Sequence, residues 1–224
     1  MPMTNPEGKV ITVGVTGASG AILAQATLRL LEADARVARV HLVVTETGVR
    51  LFADELGIVT SHRKQLPQLV TGAPTTKIDL LPDKNVGASI ASGSYPVDAM
   101  VVIPCSVGTL AAIAGGSSGD LLARAADVIL KESRRLVLCV RETPFNRIHL
   151  ENMLRAQRAG AVIMPAIPSY YHQPKTIDDL VAQYVYRVLA WAAAGQAVPV
   201  ERTGGKENAG GVAAWMKVCA PSKD

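Results

Sequence analysis

Two short apolar runs, each followed at once by polar residues, constrain the fold of this chain most. Residues 100–104 read Met-Val-Val-Ile-Pro and precede Cys-Ser-Val-Gly-Thr, while residues 136–140 precede Arg-Glu-Thr-Pro. Uninterrupted apolar runs of this length predict strands buried on both faces of a parallel sheet. Because such sheets bind ligands at the carboxyl ends of their strands, the polar residues after each run predict a binding site.

The same alternation of strand and helix extends along most of the chain. Strands are predicted at 10–15, 37–45, 78–81, 99–103, 136–140 and 161–165. Helices are predicted from residue 21 to about 33 and over 45–56, 121–132, 146–159 and 176–194. Residues 57–97 are weakly patterned and predict a long surface excursion around the third strand. The pattern favours one α/β domain over 1–196, a three-layer, doubly wound, mostly parallel sheet of the Rossmann or flavodoxin type, and a mobile Gly-rich tail over 197–224.

Composition argues against several classes of function. The 224 residues carry a net charge of +4, but only 4% are aromatic and no Lys/Arg run occurs, so we expect no nucleic-acid partner and instead a small anionic ligand. The three cysteines form no CxxC pair and the four histidines lie far apart, so no disulfide framework and no metal site are predicted. No apolar run reaches the roughly 18 residues of a membrane span, and the N-terminus lacks a signal-peptide pattern, so a cytoplasmic protein is expected.

The turn after the first predicted strand reads Gly-Ala-Ser-Gly at residues 17–20. Glycines at this point let backbone N–H groups approach an anion, and the start of the next helix adds partial positive charge. The dinucleotide pattern GxGxxG is absent, because positions 15, 17 and 20 are Val, Gly and Gly. A nicotinamide cofactor is therefore disfavoured, and a plain tight turn with a helix cap is the alternative to nucleotide binding.

A second candidate site begins where the strand over 99–103 ends. Ser106 and Thr109 offer two hydroxyls at a predicted helix start, which suits a phosphate or a ribityl chain. A nucleophilic role for Ser106 is disfavoured because the GxSxG pattern is absent. Cys105 is more typical of a buried small side chain than of a reactive thiol.

Basic residues on the helix over 121–132 form the third candidate. Arg124 and Lys131 are seven residues apart, so they share one helical face with Asp127 between them. On pattern alone this favours a solvated face with an i,i+3 ion pair. The adjacent Arg141 and Glu142 at a strand end support the alternative, in which two positive clusters near one sheet edge bind a phosphate or pyrophosphate.

The segment over 168–175 is the fourth candidate. Tyr171 and Lys175 match the YxxxK spacing of short-chain dehydrogenases, but Pro174 argues against a helix that carries both. A tyrosine-bearing loop over a ligand is the better interpretation. Arg187, on the last predicted helix, is either a surface charge or a further anion ligand, and the pattern leaves both open.

Taken together, residues 9–190 resemble the UbiX-type flavin prenyltransferases of the FMN-binding flavoprotein superfamily. The order and spacing of eight motifs carry the resemblance. These motifs lie at residues 16–21, 91–94, 104–109, 124–128, 130–132, 141–145, 149–153 and 171–174.

The resemblance implies a metal-independent enzyme that transfers a dimethylallyl group from an isoprenyl phosphate to reduced FMN and builds a fourth ring on the flavin. The residues it places at FMN are Gly17, Ala18, Ser19, Thr45, Ser106, Val107, Thr109 and Arg141. Those it places at the substrate phosphate are Arg124, Lys131, Tyr171 and Arg187. Glu142 would be the acid that assists departure of the phosphate, Ser19 would lie near flavin N5, and Glu55 near the reaction centre.

The resemblance also implies partners and leaves alternatives open. It implies delivery of prenylated FMN to a UbiD-type decarboxylase and a homododecamer with active sites between subunits, and it leaves open whether the donor is a mono- or a pyrophosphate. A flavin carrier or partner subunit of a decarboxylase, and an FMN-dependent cysteine decarboxylase, are the competing functions. The chain departs from the family at residues 117–120, where an asparagine is usual, and it lacks a tryptophan over 197–206.

Overall fold

The computed structural model describes residues 8–193, and the predicted tail over 197–224 lies outside that range. A six-stranded parallel sheet, in the order β3-β2-β1-β4-β5-β6, forms its centre. The strands are β1 Lys9–Val15, β2 Val37–Val44, β3 Ile78–Leu81, β4 Ala99–Cys105, β5 Arg135–Val140 and β6 Val162–Ile163. The helices are α1 Ala21–Ala33, α2 Glu46–Leu56, α3 Leu66–Thr71, α4 Val107–Ala114, α5 Leu121–Lys131, α6 Arg147–Arg158 and α7 Ile177–Ala193.

Helices cover both faces of this sheet. On one face α1 and α7 bury residues such as Leu28 and Val185, and on the other face α4 and α5 bury Leu110 and Leu122. All seven residues of β4 are buried, which explains why its sequence is an unbroken apolar run rather than an alternating one. The predicted three-layer, doubly wound α/β fold is therefore confirmed.

The sheet places one point of special interest between β1 and β4. From β1 the chain winds through β2 and β3 to one edge, and from β4 it winds through β5 and β6 to the other. The crevice outside the carboxyl ends of β1 and β4 is thus the topological switch point, where ligands of open α/β sheets bind.

Side-chain caps begin several helices near the carboxyl ends of the strands. Thr45, Ser106, Asp120 and Asn146 each accept a hydrogen bond from a backbone N–H in the first turn of the helix that follows. Side-chain oxygen caps of this kind accept hydrogen bonds from N–H groups that have no partner within the helix. Four polar residues are thereby fixed at or near the edge where the ligand site is expected.

The structure differs from the predicted elements in two places. The strand predicted over 161–165 is reduced to β6, although the Met164 and Ala166 N–H groups continue to donate to the Leu138 and Val140 carbonyls of β5, each at 2.9 Å. The excursion over 57–97 contains the predicted strand and, in addition, the helix α3, whose six residues are too few to show a helical period.

Candidate functional site

Hydrogen bonds join the carboxyl ends of β1, β4 and β5 into one surface. The Thr16 hydroxyl donates to the Pro104 carbonyl at 2.9 Å and accepts from the Ser106 N–H at 2.8 Å. The Arg141 N–H donates to the Cys105 carbonyl at 3.1 Å. Thr16 is 1% exposed, so its contacts are shielded from competing water. The polar residues predicted after separate strands are therefore held side by side.

Glu55, from the last turn of α2, occupies the start of α1. Its carboxylate accepts from the Ala21 N–H at 2.7 Å and from the Gly20 N–H at 3.0 Å. Gly20 has no side chain with which to cap α1, so a carboxylate 35 residues away supplies the cap. The alternative of a turn with a helix cap thus describes the local structure, with Glu55 as the capping group.

The surroundings of Glu55 favour its charged form. Burial raises the pKa of this carboxyl, but the hydrogen bond from Ser19, those from the Ala21 and Gly20 N–H groups, and the charge of Arg141 lower it by more. The net pKa of Glu55 lies below the ordinary value. Ser19, Glu55 and Arg141 therefore form one interacting group at the switch point.

The start of α2 packs tightly against the turn after β1. The Thr45 N–H donates to the Val15 carbonyl at 3.0 Å, and the Thr45 hydroxyl accepts from the Gly48 N–H at 3.0 Å. A Cβ atom added to Gly17 would overlap Thr47 Cβ and lie 2.6 Å from its Oγ1. Gly17 is therefore required for the close approach of this turn to α2.

Two hydroxyls lie at the first turn of α4. The Ser106 hydroxyl accepts from the Thr109 N–H at 3.2 Å and donates to the Thr109 hydroxyl at 3.1 Å. Backbone N–H groups at a helix start have no acceptor within the helix, so this turn can bind an anion or a polyol. Cys105 beside it is fully buried, and burial raises the pKa of its thiol, which disfavours a thiolate nucleophile.

Arg124 and Asp127 form the ion pair that their spacing predicts, with Nη1 and Oδ2 2.9 Å apart. Both side chains are more than a third exposed, so in the single chain the pair is a solvated one. Glu142, which follows Arg141, accepts from the Thr143 N–H at 2.9 Å through its own side chain. The guanidinium of Arg124 and the carboxylate of Glu142 thus both have local partners.

Lys131 lies at the other end of α5. The start of α5 lies beside Asp83, which follows β3, because the Leu121 N–H donates to the Asp83 carbonyl at 2.7 Å. The end of α5 leads into the first residue of β5. Its 11 residues span about 16 Å, which carries Lys131 toward the amino ends of the strands. Lys131 therefore does not lie at the same sheet edge as Arg141 and Glu142 within a single chain.

Arg187 lies on α7 and Tyr171 in the loop before it, and the Ser169 hydroxyl links that loop to α7 by donating to Gln183 Oε1 at 2.8 Å, one turn before Arg187. Arg187 lies on α7 one turn before Trp191, whose ring is 5.7 Å from the Arg135 guanidinium at the amino end of β5. Tyr171 is 74% exposed in the loop before α7, where its ring contacts His172. Since α7 begins only at Ile177, Tyr171 and Lys175 share no helix, and the rejection of the dehydrogenase motif is confirmed.

Sequence reasoning missed Thr16, which links two loops that lie 88 residues apart along the chain. Its position directly after a predicted strand was the available signal. Within residues 8–193 no group of three or more His, Cys, Asp and Glu side chains is placed to hold a metal ion. Over the same range no helix combines the length and the apolar character needed to cross a membrane.

Comparison with known proteins identifies the family. A family model described as Flavoprotein matches residues 2–189. Flavin prenyltransferase UbiX of Halalkalibacterium halodurans is 48% identical over 181 residues, which cover 80% of this chain and 86% of that protein. The chain belongs to the flavoprotein family, among the UbiX flavin prenyltransferases. The resemblance drawn from the eight motifs is thereby confirmed.

Two solved structures share the UbiX fold with this chain at 39% identity. AnUbiX (PadA1), in complex with FMN and dimethylallyl pyrophosphate, has a TM-score of 0.72 over 83% of this chain and 92% of its own. A dodecameric FMN-dependent UbiX-like decarboxylase from Escherichia coli O157:H7 has a TM-score of 0.71 over 81% and 93%. The predicted doubly wound sheet is thus the fold of the UbiX relatives.

Proposed function

We propose that this protein is a flavin prenyltransferase, which transfers a dimethylallyl group from dimethylallyl phosphate to reduced FMN. The observation that carries the proposal is the 48% identity to a UbiX flavin prenyltransferase over four-fifths of the chain. A UbiX structure that contains both FMN and dimethylallyl pyrophosphate supports the two substrates. We propose the monophosphate as the donor, with the pyrophosphate as the alternative.

The carboxyl edge of the sheet has the chemistry that FMN requires. The turn over 17–20 lies at this edge, three hydroxyl groups lie at helix starts, and Arg141 adds a positive charge. Reduced FMN, when bound, supplies the nucleophilic atoms that accept the dimethylallyl group. The residues we propose to hold it are Gly17, Ala18, Ser19, Thr45, Ser106, Val107, Thr109 and Arg141.

The basic residues are proposed to act on the leaving phosphate. Breaking an allylic C–O bond leaves positive charge on carbon and negative charge on the phosphate, so fixed cations stabilise the transition state. Glu142 is proposed to donate a proton to the departing phosphate oxygen. Those proposed to bind the phosphate are Arg124, Lys131, Tyr171 and Arg187. With this many fixed positive groups, neutralisation of the phosphate does not depend on a metal ion.

Because Lys131 and Glu142 lie toward opposite ends of the strands, we propose that the phosphate site forms between subunits. The UbiX-like relative from Escherichia coli is dodecameric, and we propose a homo-oligomer of this kind. Ile148, Leu150 and Leu154 on α6 are each about half exposed or more, as apolar residues of an unassembled interface are. Contacts between copies of the chain would bury these side chains and bring the separated basic residues together.

We further propose that a UbiD-type decarboxylase uses the prenylated FMN, and that both act in the cytoplasm. Two cysteines, Cys105 and Cys139, are free and buried, as is usual in a reducing compartment. The residues over 1–196 are proposed to form the catalytic domain. No observation favours a cysteine decarboxylase or a carrier over the transferase.

The direct experiment is to incubate the protein anaerobically with reduced FMN and dimethylallyl phosphate, then measure the mass of the released flavin. A gain of one C5 unit is expected, and no gain with either the mono- or the pyrophosphate refutes the proposal. Glu142→Gln is expected to slow turnover about 100-fold, as removal of a general acid does. Asp79→Asn, which changes an exposed carboxylate on the edge strand β3, is the matched control and should not slow it.

A carrier would behave differently in the same experiment. If Glu142→Gln restored the activity of the partner decarboxylase as fully as the wild type, the protein would be a carrier of flavin made elsewhere.

A further inference from the structure

Arg134 binds the segment that packs against the end of α5. Its Nη2 donates to the Gly93 carbonyl at 2.7 Å and its Nη1 donates to the Tyr95 carbonyl at 2.9 Å. A guanidinium is planar and rigid, so one side chain spans two carbonyls of a turn and fixes their separation. Arg134 thereby anchors residues 92–95, the 92–95 segment, to the link between α5 and β5.

The 92–95 segment lies directly against Lys131. A Cβ atom added to Gly93 would overlap Glu132 Oε1 and lie 2.7 Å from Lys131 Nζ. Glu132 in turn forms an ion pair with Lys131, and the Lys131 hydrogen bond and charge lower the pKa of the Glu132 carboxyl. Lys131 Nζ therefore lies between the Glu132 carboxylate and the backbone of Gly93, with half of the Lys131 side chain still exposed to solvent.

A buried contact holds the other side of the segment. The Tyr95 hydroxyl lies 2.9 Å from His41 Nε2, and His41 is 3% exposed on β2. Burial lowers the pKa of His41, which favours the neutral ring as the hydrogen-bond partner of the phenol. The segment is thus fixed through Arg134 at two carbonyls and through Tyr95 at the sheet.

We infer that Arg134 is a positioning residue that acts through the 92–95 segment to hold the Lys131 ammonium ready for the donor phosphate. The inference rests on the proposed function, in which Lys131 binds that phosphate. A lysine has a flexible four-carbon stem, and a binding event that must order it loses affinity. Confinement before binding removes that loss, which is the general advantage of a preorganised site.

The experiment measures binding without turnover. Protein loaded with oxidised FMN is titrated with dimethylallyl phosphate by calorimetry, and FMN affinity is measured separately by flavin fluorescence. Arg134→Ala is expected to weaken donor binding about tenfold, the order of a lost charge-assisted contact, while FMN affinity stays at the wild-type value. Arg36→Ala is the matched control, because it removes a guanidinium that pairs with Asp34 at the same end of the sheet, and it should change neither affinity.

A double-variant cycle tests whether Arg134 acts through Lys131. If it does, Lys131→Met and Lys131→Met/Arg134→Ala will bind the donor equally weakly, because Arg134 has nothing left to position. Effects that multiply in the double variant, or a parallel loss of FMN affinity in Arg134→Ala, overturn the inference.

Two further outcomes are separated by the design. Should Arg134→Ala fail to fold, the cycle is run with Arg134→Lys, which keeps the charge but lacks the planar fork, and wild-type donor affinity in that variant overturns the inference. Absence of prenylated product from the wild type refutes the proposed function itself. Product from the wild type together with unchanged donor binding in the Arg134 variants refutes only the positioning role.

Discussion

One methyl group added at Gly17 is expected to distinguish most clearly an effect on flavin binding from an effect on folding. In Gly17→Ala the new Cβ would overlap Thr47 Cβ and lie 2.6 Å from Thr47 Oγ1, where carbon contacts normally lie at about 3.5–4.0 Å. Rotating the Thr47 side chain cannot relieve an overlap with its own Cβ. The first turn of α2, and Thr45 with it, must therefore move by about 1 Å.

Overpacking of this kind costs about 1–3 kcal/mol. Since every 1.4 kcal/mol is a factor of about ten, the FMN affinity of Gly17→Ala is expected to fall by roughly 5- to 150-fold if the strain is relieved by moving the flavin-binding turn. Flavin fluorescence titration measures that affinity, and urea unfolding measures the stability. Gly87→Ala, whose added Cβ would have its nearest neighbour at 3.7 Å, is the matched control and should bind FMN as the wild type does.

A second substitution tests the cause. Thr47→Gly removes the overlapping Cβ, so Gly17→Ala/Thr47→Gly should bind FMN as tightly as Thr47→Gly alone. The double variant and Thr47→Gly should each lose about 1 kcal/mol of stability, because both place a glycine in α2. The reasoning is refuted if Gly17→Ala binds FMN and unfolds in urea like the wild type. It is equally refuted if Thr47→Gly fails to relieve the defect, because the overlap would then not be its cause.

Two other predictions follow from the pKa shifts. The pKa of Glu55 in the folded protein is lowered from 4.5, so its contribution to stability is present above that pH and is lost as the pH falls through the folded pKa. The urea midpoint of the wild type should therefore drop on acidification more than that of Glu55→Gln. Equal drops would contradict the lowered pKa. Burial raises the pKa of Cys105, and raises that of Cys139 to about 12, so in a Cys219→Ser variant Ellman's reagent at pH 8 should label no thiol until urea unfolds the chain. Rapid labelling of the folded protein would show that one of the two thiols is accessible.

Local features of the fold were predictable from the sequence because they depend on neighbouring residues. Asn146 caps α6 at the start of the helix predicted over 146–159, and Thr176 and Asp179 exchange the two hydrogen bonds of a capping box. The Arg124–Asp127 pair follows from the i,i+3 geometry of any helix. Buried parallel strands were recognisable from their continuous apolar runs.

Contacts that join distant parts of the chain were not predictable from residue patterns. The Glu55 cap on α1 spans 35 residues and the Thr16 link spans 88, and neither has a spacing rule. Glu55 entered the site only through the family resemblance. The separation of Lys131 from Glu142 was derivable in principle, because a helix between parallel strands must run back toward their amino ends, but the linear spacing of the charges concealed it.

The Glu55 carboxylate at the start of α1 bears on which nucleotides this fold admits. In dinucleotide-binding proteins of the same strand order, the pyrophosphate lies at the N-terminus of the first helix. Here a negative charge that belongs to the protein already occupies that position. A pyrophosphate would meet like-charge repulsion there and would have to displace two backbone hydrogen bonds. The chain therefore disfavours NAD and NADP at the start of α1 through a carboxylate of its own, which is present at any cofactor concentration.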